Sequence, residues 1–274
     1  MLRWRFKDST GYRNDILRYF SIMCLILIAH RVHPRYPLVV AANRDEFHAR
    51  PTASSHFWQV PGGTLAGRDL EAGGTWLGLN SRGGFAAITN ISEQHKEGNW
   101  LSRGELVQQF LGGDTSATAF PPTVQGQRYR GFNLLLWDGK ALTYTSNRGG
   151  LETLAPGVYG LANDRLNESR FKVQRGTDAL TAAIDTAPED DALFDALFSI
   201  LSDPTPPATP ERRRVAGMSE AMQQALGACF IVGDTYGTRA STAVLLNDVK
   251  ATMIERVYAP SGMPAGVSQH SLSL

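Results

Sequence analysis

The sequence has few cysteines, almost no net charge and no long apolar run, and each shortage excludes a class of protein. Two cysteines in 274 residues, Cys24 and Cys229, make neither a disulfide scaffold nor a Cys-x-x-Cys metal or redox motif. A formal net charge of +1 gives no reason to expect nucleic acid or an anionic membrane as a partner. No apolar stretch reaches the roughly 18 residues that an integral membrane segment requires. We therefore expect a cytoplasmic protein in a reducing compartment.

Familiar site motifs are missing as well. There is no G-x-S-x-G elbow for a Ser-His-Asp hydrolase and no G-x-G-x-x-G. The glycine pairs at 62–63, 73–74 and 83–84 are not followed by Lys-Ser or Lys-Thr, which indicates tight turns rather than phosphate loops. His30 and His33 have H-x-x-H spacing, but on a strand this spacing points the rings to opposite faces. We therefore predict no metal and no cofactor.

What the sequence does contain is a series of short strand-like segments separated by turns. Two apolar runs, 24–29 and 38–42, flank a proline-containing turn and predict a β-hairpin. Further strands are predicted at 64–67, 75–79, 84–88, 132–137, 141–146, 159–163, 228–232, 240–246 and 251–258. Helices are predicted behind a capping box at Ser102–Glu105, at 168–184, from Pro188 to Leu201, and at 219–226. This order, with mostly tight turns, favours an α+β fold in which helices cover antiparallel sheets.

The first 22 residues do not match the rest. They carry five basic and two acidic residues without clean periodicity, and they make a poor signal peptide. We interpret 1–22 as an N-terminal extension outside the fold. Met23 would then be the true translation start, or a residue that imitates one. The proline-rich stretch 203–210 is interpreted as a surface connection, so 23–274 is predicted to form a single domain.

Cys24 is the sharpest candidate for chemistry because it follows Met23. If translation starts at Met23 and that methionine is removed, Cys24 carries both a thiol and a free α-amino group. An α-amino group has a pKa of about 7.7–8.0, so it can act as general base for the thiol of its own residue. Arg44 and Asp45, one hairpin away, could favour the thiolate and orient the amine. The alternative interpretation is a buried core cysteine beside a charged turn.

A set of short blocks gives the sequence a resemblance to a known family. In order they read MC at 23–24, AANRDE at 41–46, LAGRD at 65–69, GGTWLG at 73–78, AAITN at 86–90, SRGELV at 102–107, GFNLL at 131–135, NRG at 147–149, YGLAN at 159–163 and YGTRAST at 236–242. This pattern resembles the NRDE family, the family of transport and Golgi organisation protein 2. The resemblance spans Met23 to about Tyr258 and supports Met23 as the start.

The resemblance implies a four-layer αββα sandwich of the N-terminal-nucleophile hydrolase type, two antiparallel sheets between helices. A broader similarity, to choloylglycine hydrolase and penicillin acylase, implies a catalytic set in chain order. Its members would be Cys24, Arg44, Asp45, Asn163 and Arg239. Asn163 would help to bind an oxyanion and Arg239 would support the pocket electrostatically. Five further residues are candidate substrate-binding residues, namely Asn43, Glu46, Arg68, Trp76 and Asn90.

Two functions of different classes remain open. The first is hydrolysis or transfer of an acyl group from an amide or thioester through a Cys24 acyl-enzyme. The second is a binding or trafficking protein without chemistry, whose ligands would be acyl-CoA or haem, in keeping with the family's links to lipid metabolism and haem trafficking. Acyl-CoA phosphates would need basic groups such as Arg44, Arg68 or Arg239. Haem would need an axial ligand such as Cys24 or a histidine.

Overall fold

The predicted first hairpin forms the centre of one of two sheets. In the computed structural model, residues 24–60, 62–93, 98–187, 189–211 and 219–274 are described. The predictions for 1–22, for Met23 as start and for Pro188 as a helix start lie outside these residues.

The described strands, in chain order, are β1 (Leu25–His30), β2 (Leu38–Phe47), β3 (Thr52–Phe57), β4 (Leu65–Asp69), β5 (Leu77–Leu79), β6 (Phe85–Asn90), β7 (Phe132–Trp137), β8 (Leu142–Ser146), β9 (Leu151–Leu154), β10 (Gly157–Leu161), β11 (Tyr236–Leu246), β12 (Lys250–Ala259) and β13 (Met263–Ser273). The described α-helices are α1 (Gly104–Gly112), α2 (Phe171–Thr186), α3 (Asp190–Leu201) and α4 (Glu220–Ala225). Short 3-10 helices lie at Pro121–Thr123, Gly126–Arg128 and Pro260–Gly262.

The described strands pair antiparallel in two sheets. Sheet A has six strands in the order β10-β1-β2-β11-β12-β13, and sheet B has seven in the order β3-β4-β5-β6-β7-β8-β9. Sheet B is a meander in sequence order, with short connections between neighbouring strands except between β6 and β7, where the chain forms α1 and two 3-10 helices before it returns to the neighbouring position. Sheet A instead gathers distant parts of the chain, because β11 pairs along the whole of β2. The centre of sheet A thereby brings Asp45 next to Thr238 in register.

The two sheets face each other across an apolar core. Ile26, Ile28 and Val40 of the central hairpin point into this core and meet Leu79 and Trp137 of sheet B. Side chains alternate along a strand, so Leu27 and its neighbours in between point to the opposite face. Each such Leu or Ile, when fully buried, stabilises the fold by about 1.5–3 kcal/mol.

Helices cover both outer faces. Leu180, Leu193 and Leu197 of α2 and α3 pack on the outer face of sheet A, around Leu27. Gly176 permits this approach, since a Cβ there would lie 2.8 Å from a methyl group of Leu27. On the other side, α1 packs its apolar face against β6 and β7 of sheet B. The four-layer αββα sandwich is therefore confirmed.

Two local predictions were wrong. The capping box at Ser102–Glu105 does not form: the N-cap of α1 is Arg103 and has no side-chain cap, the Glu105 amide donates to the Ser102 backbone carbonyl, and the Glu105 carboxylate accepts a 2.5 Å hydrogen bond from the Tyr129 hydroxyl. Residues 228–232 form no strand, because their amides bond elsewhere: Phe230 donates to the Asp203 carbonyl and Ile231 to the Thr238 hydroxyl.

Three strands were not predicted at all. β3, β9 and β13 are three of the four edge strands, and their sequences lack clean apolar alternation. In the described parts of the chain, no helix is both long enough and apolar enough to cross a membrane.

Candidate functional site

Cys24 stands at the start of the central hairpin. It directly precedes β1 and lies opposite Arg44, because Leu25 pairs with Asn43. The alternation along β1 puts its side chain on the same face as Ile26, toward sheet B. The residue is 8% exposed, so the thiol is almost withdrawn from solvent.

The surroundings of Cys24 hold its thiol neutral. Burial raises the pKa of this thiol to about 12, and the Asp45 carboxylate acts in the same direction. The backbone amide of Asp45 and the charges of Arg44 and Lys172 oppose that rise without reversing it. A thiol in this state needs a base before it can act as a nucleophile.

The Cys24 side chain opens into a cavity of about 640 Å³, here named the Cys24 cavity. Most of the lining side chains that could contact a ligand are charged or aromatic. The arginines are Arg44, Arg50, Arg103 and Arg130, the carboxylates are Glu46, Asp69, Glu71 and Glu93, and the tryptophans are Trp76 and Trp100. Such a lining suits a small molecule with both polar and apolar parts.

Arg44 is held in place by carboxylates. Its guanidinium lies 3.2 Å from Asp69 and 3.6 Å from Glu46, and it stacks over Trp76 at 4.7 Å from the ring centre. Arg50 joins the same network, with its Nε 2.6 Å from Asp69. The charge of Arg44 is thus balanced locally, and its position beside Cys24 is fixed.

Arg103 has a different environment at the start of α1. Its Nη1 donates to the Gly131 carbonyl at 3.2 Å. Burial, together with the like charge of Arg130, lowers the pKa of Arg103 to about 10. Among the residues that the structure describes, no carboxylate lies within ion-pair distance of this guanidinium.

Asp45 lies on the other face of sheet A, under the helices. One of its carboxylate oxygens accepts a 2.7 Å hydrogen bond from Thr238, and the other lies 3.7 Å from the Lys172 Nζ. Asp45 is fully buried and Lys172 is 2% exposed. Burial raises the pKa of Asp45 to about 7, against the attraction of Lys172 and the Thr238 hydrogen bond. The backbone amide of Asp45 nevertheless faces the Cys24 thiol, so Asp45 and Lys172 lie next to Cys24 on the side of the sheet away from the cavity.

Asn43 also points away from the cavity. Its amide donates to the carbonyls of Leu201 and Cys229 at 2.8 and 2.7 Å and accepts from the Ser241 hydroxyl at 2.6 Å. All three partners are buried, so Asn43 ties β2 to the helical layer.

The two mid-chain asparagines lie side by side. Asn90 lines the Cys24 cavity at the end of β6. The side-chain amide of Asn163 donates to the Asn90 backbone carbonyl at 2.9 Å. The backbone carbonyl of Asn163 accepts a hydrogen bond from the backbone amide of Ser92. Asn163 therefore braces the segment that carries Asn90 and is not part of the described lining.

The two remaining candidates lie outside the Cys24 cavity. Arg239 donates from Nη1 to the carbonyls of Phe47, His48 and Arg50, which fixes the loop after β2. Arg68 stacks over Trp58 and donates to the Gly73 carbonyl at 3.1 Å. The structure thus brings Cys24, Arg44, Glu46, Trp76 and Asn90 together at one cavity.

Sequence reasoning missed Arg103, Arg130 and Lys172. Arg103 belongs to the SRGELV block, which supports a helix start and the family resemblance but does not by itself mark Arg103 as a site residue. No local pattern marks Lys172, whose position depends on how α2 packs against β1 and β10. Within the described residues, no group of His, Cys, Asp and Glu side chains could hold a metal ion.

Comparison with known proteins gives the family. The family model described as "Transport and Golgi organisation 2" matches residues 23–260. The Transport and Golgi organization protein 2 homologue of Bos taurus is 36% identical over 258 residues, covering 85% of this chain and 92% of the relative. The human homologue is 33% identical over the same length and with the same coverage.

One solved structure supports the fold assignment. The crystal structure of a mutant of the conjugated bile acid hydrolase from Clostridium perfringens superposes with a TM-score of 0.50. It is 9% identical and covers 92% of each chain, so the likeness concerns the fold alone. The order of blocks, the extent of the family match and the identity to the animal homologues agree, and this chain belongs to the Transport and Golgi organisation 2 family.

Proposed function

We propose that this protein hydrolyses or transfers an acyl group from an amide or a thioester, through an acyl-enzyme on Cys24. The observation that carries the proposal is the placement of Cys24, at the start of the central hairpin of an N-terminal-nucleophile hydrolase-like sandwich and on a cavity of about 640 Å³. A cysteine that served only the core would need no such opening.

The base in this proposal is the α-amino group of Cys24, freed by removal of everything before it. The amine takes the thiol proton as the sulfur attacks the acyl carbonyl carbon, and then gives that proton to the leaving nitrogen or sulfur. Water, activated by the same amine, attacks the thioester and releases the acid. In acyl transfer, an acceptor amine or alcohol takes the place of water.

Other residues of the site support this chemistry. Arg44 lies beside the thiol and favours its ionised form. Asn90 lines the cavity, and Asn163, which was predicted to bind the oxyanion, is proposed to act by holding the Asn90 segment. Arg239 is proposed to position the loop after β2 rather than to touch the substrate.

Asp45 and Lys172 are proposed to tune the amine. The register of the hairpin directs the Cys24 nitrogen along the strand toward Asp45. A buried carboxylate alone would hold an α-ammonium in its charged form, which is a poor base. Lys172, at 3.7 Å from Asp45, provides the counter-charge instead, so the amine can stay neutral near pH 7.

The two cysteines provide a matched test of the proposal. Cys24→Ala is expected to abolish turnover of acyl amides and acyl thioesters, and to prevent a stable adduct with a slow acyl donor. Cys229→Ala removes the other buried cysteine, which packs in the outer core, and is expected to retain both activities. Turnover of the Cys24→Ala protein at the parental rate would refute the proposal.

A binding protein without chemistry is the second candidate. The observation in its favour is the thiol itself, since burial raises the pKa of Cys24 to about 12 and leaves it unreactive if the amine is blocked. Its proposed ligands are acyl-CoA and haem. No histidine belongs to the described lining, so haem would have to use Cys24 as its axial ligand. A titration with each ligand, followed by the haem Soret band or by thermal stabilisation with acyl-CoA, tests this function.

A cytoplasmic location is proposed alongside. Cys24 and Cys229 are both free and buried, which supports a reducing compartment. Fractionation of cells followed by detection of the untagged protein tests this location.

A further inference from the structure

The charges that line the Cys24 cavity divide into two groups. Arg44 and Arg50 share the carboxylates of Asp69 and Glu46, at distances of 2.6–3.7 Å. Arg50 also reaches Glu71 at 3.2 Å. On this side of the cavity each guanidinium has an acidic partner, so the side chains have little unsatisfied charge to offer a ligand.

Arg103 lies on the other side, and among the residues that the structure describes it has no carboxylate within ion-pair distance. A guanidinium has five N–H donors, and within the described chain the Arg103 group uses one of them, on the Gly131 carbonyl. The nearby carboxylate of Glu93 is engaged elsewhere, because both its oxygens accept from Arg148 at 2.8 and 2.9 Å. Arg130 adds a like charge to the same lining. A partly buried cation in this position costs free energy unless something negative joins it.

We propose that Arg103 binds an anionic group of the substrate, a carboxylate or similar small oxyanion attached close to the acyl bond that Cys24 attacks. This inference rests on the proposed function, because it names the class of acyl compound that the site takes. Arg103 and Cys24 line one cavity, and the charge of a Cys24 thiolate is close enough to act on the Arg103 guanidinium. Bidentate hydrogen bonds from a guanidinium to a carboxylate would fix the substrate with its carbonyl toward the thiol.

The same geometry disfavours the phosphates of acyl-CoA as the group that Arg103 binds. In acyl-CoA the whole pantetheine arm separates the thioester carbon from the nearest phosphate. An anion that reaches Arg103 while the acyl carbon lies at Cys24 must be attached through a much shorter link. Carboxylates placed on the acyl side and on the leaving-group side are distinguished by the test.

The test compares charged and neutral members of matched substrate pairs. One pair is an N-acylglycine and its glycinamide, which differ in charge on the leaving-group side. The other pair is a succinyl and a valeryl thioester of N-acetylcysteamine, which differ in charge on the acyl side. In the unmodified protein we expect kcat/KM to be at least tenfold higher for the charged member of one pair.

Arg103→Gln is expected to abolish that preference, while the neutral substrates change less than about threefold. Arg103→Lys keeps a positive charge without the planar fork and is expected to retain part of the preference. The matched control is Arg82→Met, because Arg82 also bonds backbone carbonyls of α1, at the Leu111 and Gly113 end, away from the Cys24 cavity. We expect this control to keep the full preference.

Binding to the Cys24→Ala protein separates this inference from the proposed function. Calorimetry with the charged and neutral N-acyl compounds measures the anion preference without turnover. Tighter binding of the charged compound that disappears in Cys24→Ala/Arg103→Gln supports the subsite, even if no substrate is ever turned over. Equal binding of both compounds, or an equal loss for both in the Arg103 variant, overturns the inference while leaving acyl transfer at Cys24 intact.

Discussion

At the scale of single residues, the account depends on the charges around Cys24. The thiol has a pKa raised to about 12 by burial, so its reactivity must come from a neighbouring base. Asp45 and Lys172 are both buried and lie 3.7 Å apart, with no second carboxylate or amine as an ion-pair partner of either in the described chain. An isolated buried ion pair contributes little to stability, which makes a role in setting proton affinities the better explanation.

Removal of the Lys172 charge should shift activity to higher pH. In Lys172→Met, loss of the nearby cation raises the pKa of both the α-amine and the thiol of Cys24. Attack then needs a higher pH, because the amine must be neutral before it can take the thiol proton. We expect the acid limb of the pH profile of kcat/KM to rise by about one unit, so that activity at pH 7 falls roughly tenfold and recovers near pH 9. The pH dependence of Cys24 alkylation by iodoacetamide should shift the same way without any substrate.

Lys172→Arg is the control for the shift, because it keeps the charge and is expected to leave the profile within a few tenths of a unit. A Lys172→Met protein that is folded and has the parental profile would show that Lys172 is structural only. The charged and titratable groups that interact with Lys172 are Asp45 on β2 and the thiols of Cys24 and Cys229. Arg44, also on β2, acts on Asp45 and Cys24, and the Cys229 thiol donates a hydrogen bond to the Lys172 backbone carbonyl.

Asp45 should also make stability depend on pH. Burial raises its pKa in the folded protein from an ordinary value of 3.8 to about 7. The folded state therefore binds the proton more tightly, so this contribution to stability is full below about pH 4 and is lost as pH rises toward 7. In Asp45→Asn/Lys172→Met both buried charges are gone, and this loss should disappear. We expect the free energy of unfolding of the double variant, relative to the parent, to rise by on the order of 2–4 kcal/mol from pH 4 to pH 7. Urea unfolding at several pH values measures it.

The sequence predicted the part of the site that lies on one hairpin. Cys24, Arg44 and Glu46 are close in the chain, and a hairpin brings them together by register alone. Alternation along a strand places Asn43 and Asp45 on the opposite face from Arg44, but the sequence could not show which of the two faces meets sheet B and the cavity. Arg103 and Lys172 were missed because their positions depend on long-range packing of α1 and α2.

At the scale of elements, the start of α1 is fixed by a close backbone contact. A Cβ at Gly74 would lie 2.6 Å from the carbonyl carbon of Gly104, and a Cβ at Gly104 would lie 2.8 Å from the Thr75 oxygen. The loop before β5 and the first turn of α1 therefore touch through glycines, and this contact sets the position of the adjacent Arg103.

Gly74→Ala should separate these two segments. The obstructing atoms are backbone, so the strain cannot be relieved by a side-chain rotation, and we expect a loss of about 1–3 kcal/mol in the free energy of unfolding. Gly157→Ala on β10 is the control, because its Cβ would have its nearest contact at 3.4 Å. That variant should stay within about 0.5 kcal/mol of the parent. Equal stability of the two variants would mean that the contact at Gly74 is not tight.

The elements that sequence predicts well are those whose burial follows a simple period. β1, β7 and the helix α3 have clear apolar runs or faces, and they were found within a few residues. β2 was found at its apolar start, but it continues to Phe47, five residues beyond the predicted end, because the charged segment 43–46 pairs with β11. β13 is long, but it contains Pro264 and Gly266 and is largely exposed, so its pairing with β12 leaves no periodic signal. It also contacts β3 through a 2.8 Å hydrogen bond from the His270 side chain to the Ser55 carbonyl. No local sequence pattern predicts this contact.

At the scale of the whole molecule, the sandwich explains why a buried cysteine can also be reachable. The described strands of sheet A hold Cys24 at the start of β1, while β6 of sheet B and the start of α1 form the facing wall of the Cys24 cavity. Membership of the Transport and Golgi organisation 2 family and the bile acid hydrolase-like fold agree with this arrangement. Neither specifies a reaction; the proposed acyl chemistry assigns it to Cys24.

The most direct test is an intact mass of the mature protein after brief exposure to a reactive acyl thioester, with the Cys229→Ala protein measured in parallel. The account predicts a protein that begins at Cys24 and gains one acyl group, with the adduct located on Cys24 by fragmentation and unaffected by Cys229→Ala. A mass that still includes residues 1–22, with no acyl group on Cys24, would contradict the account.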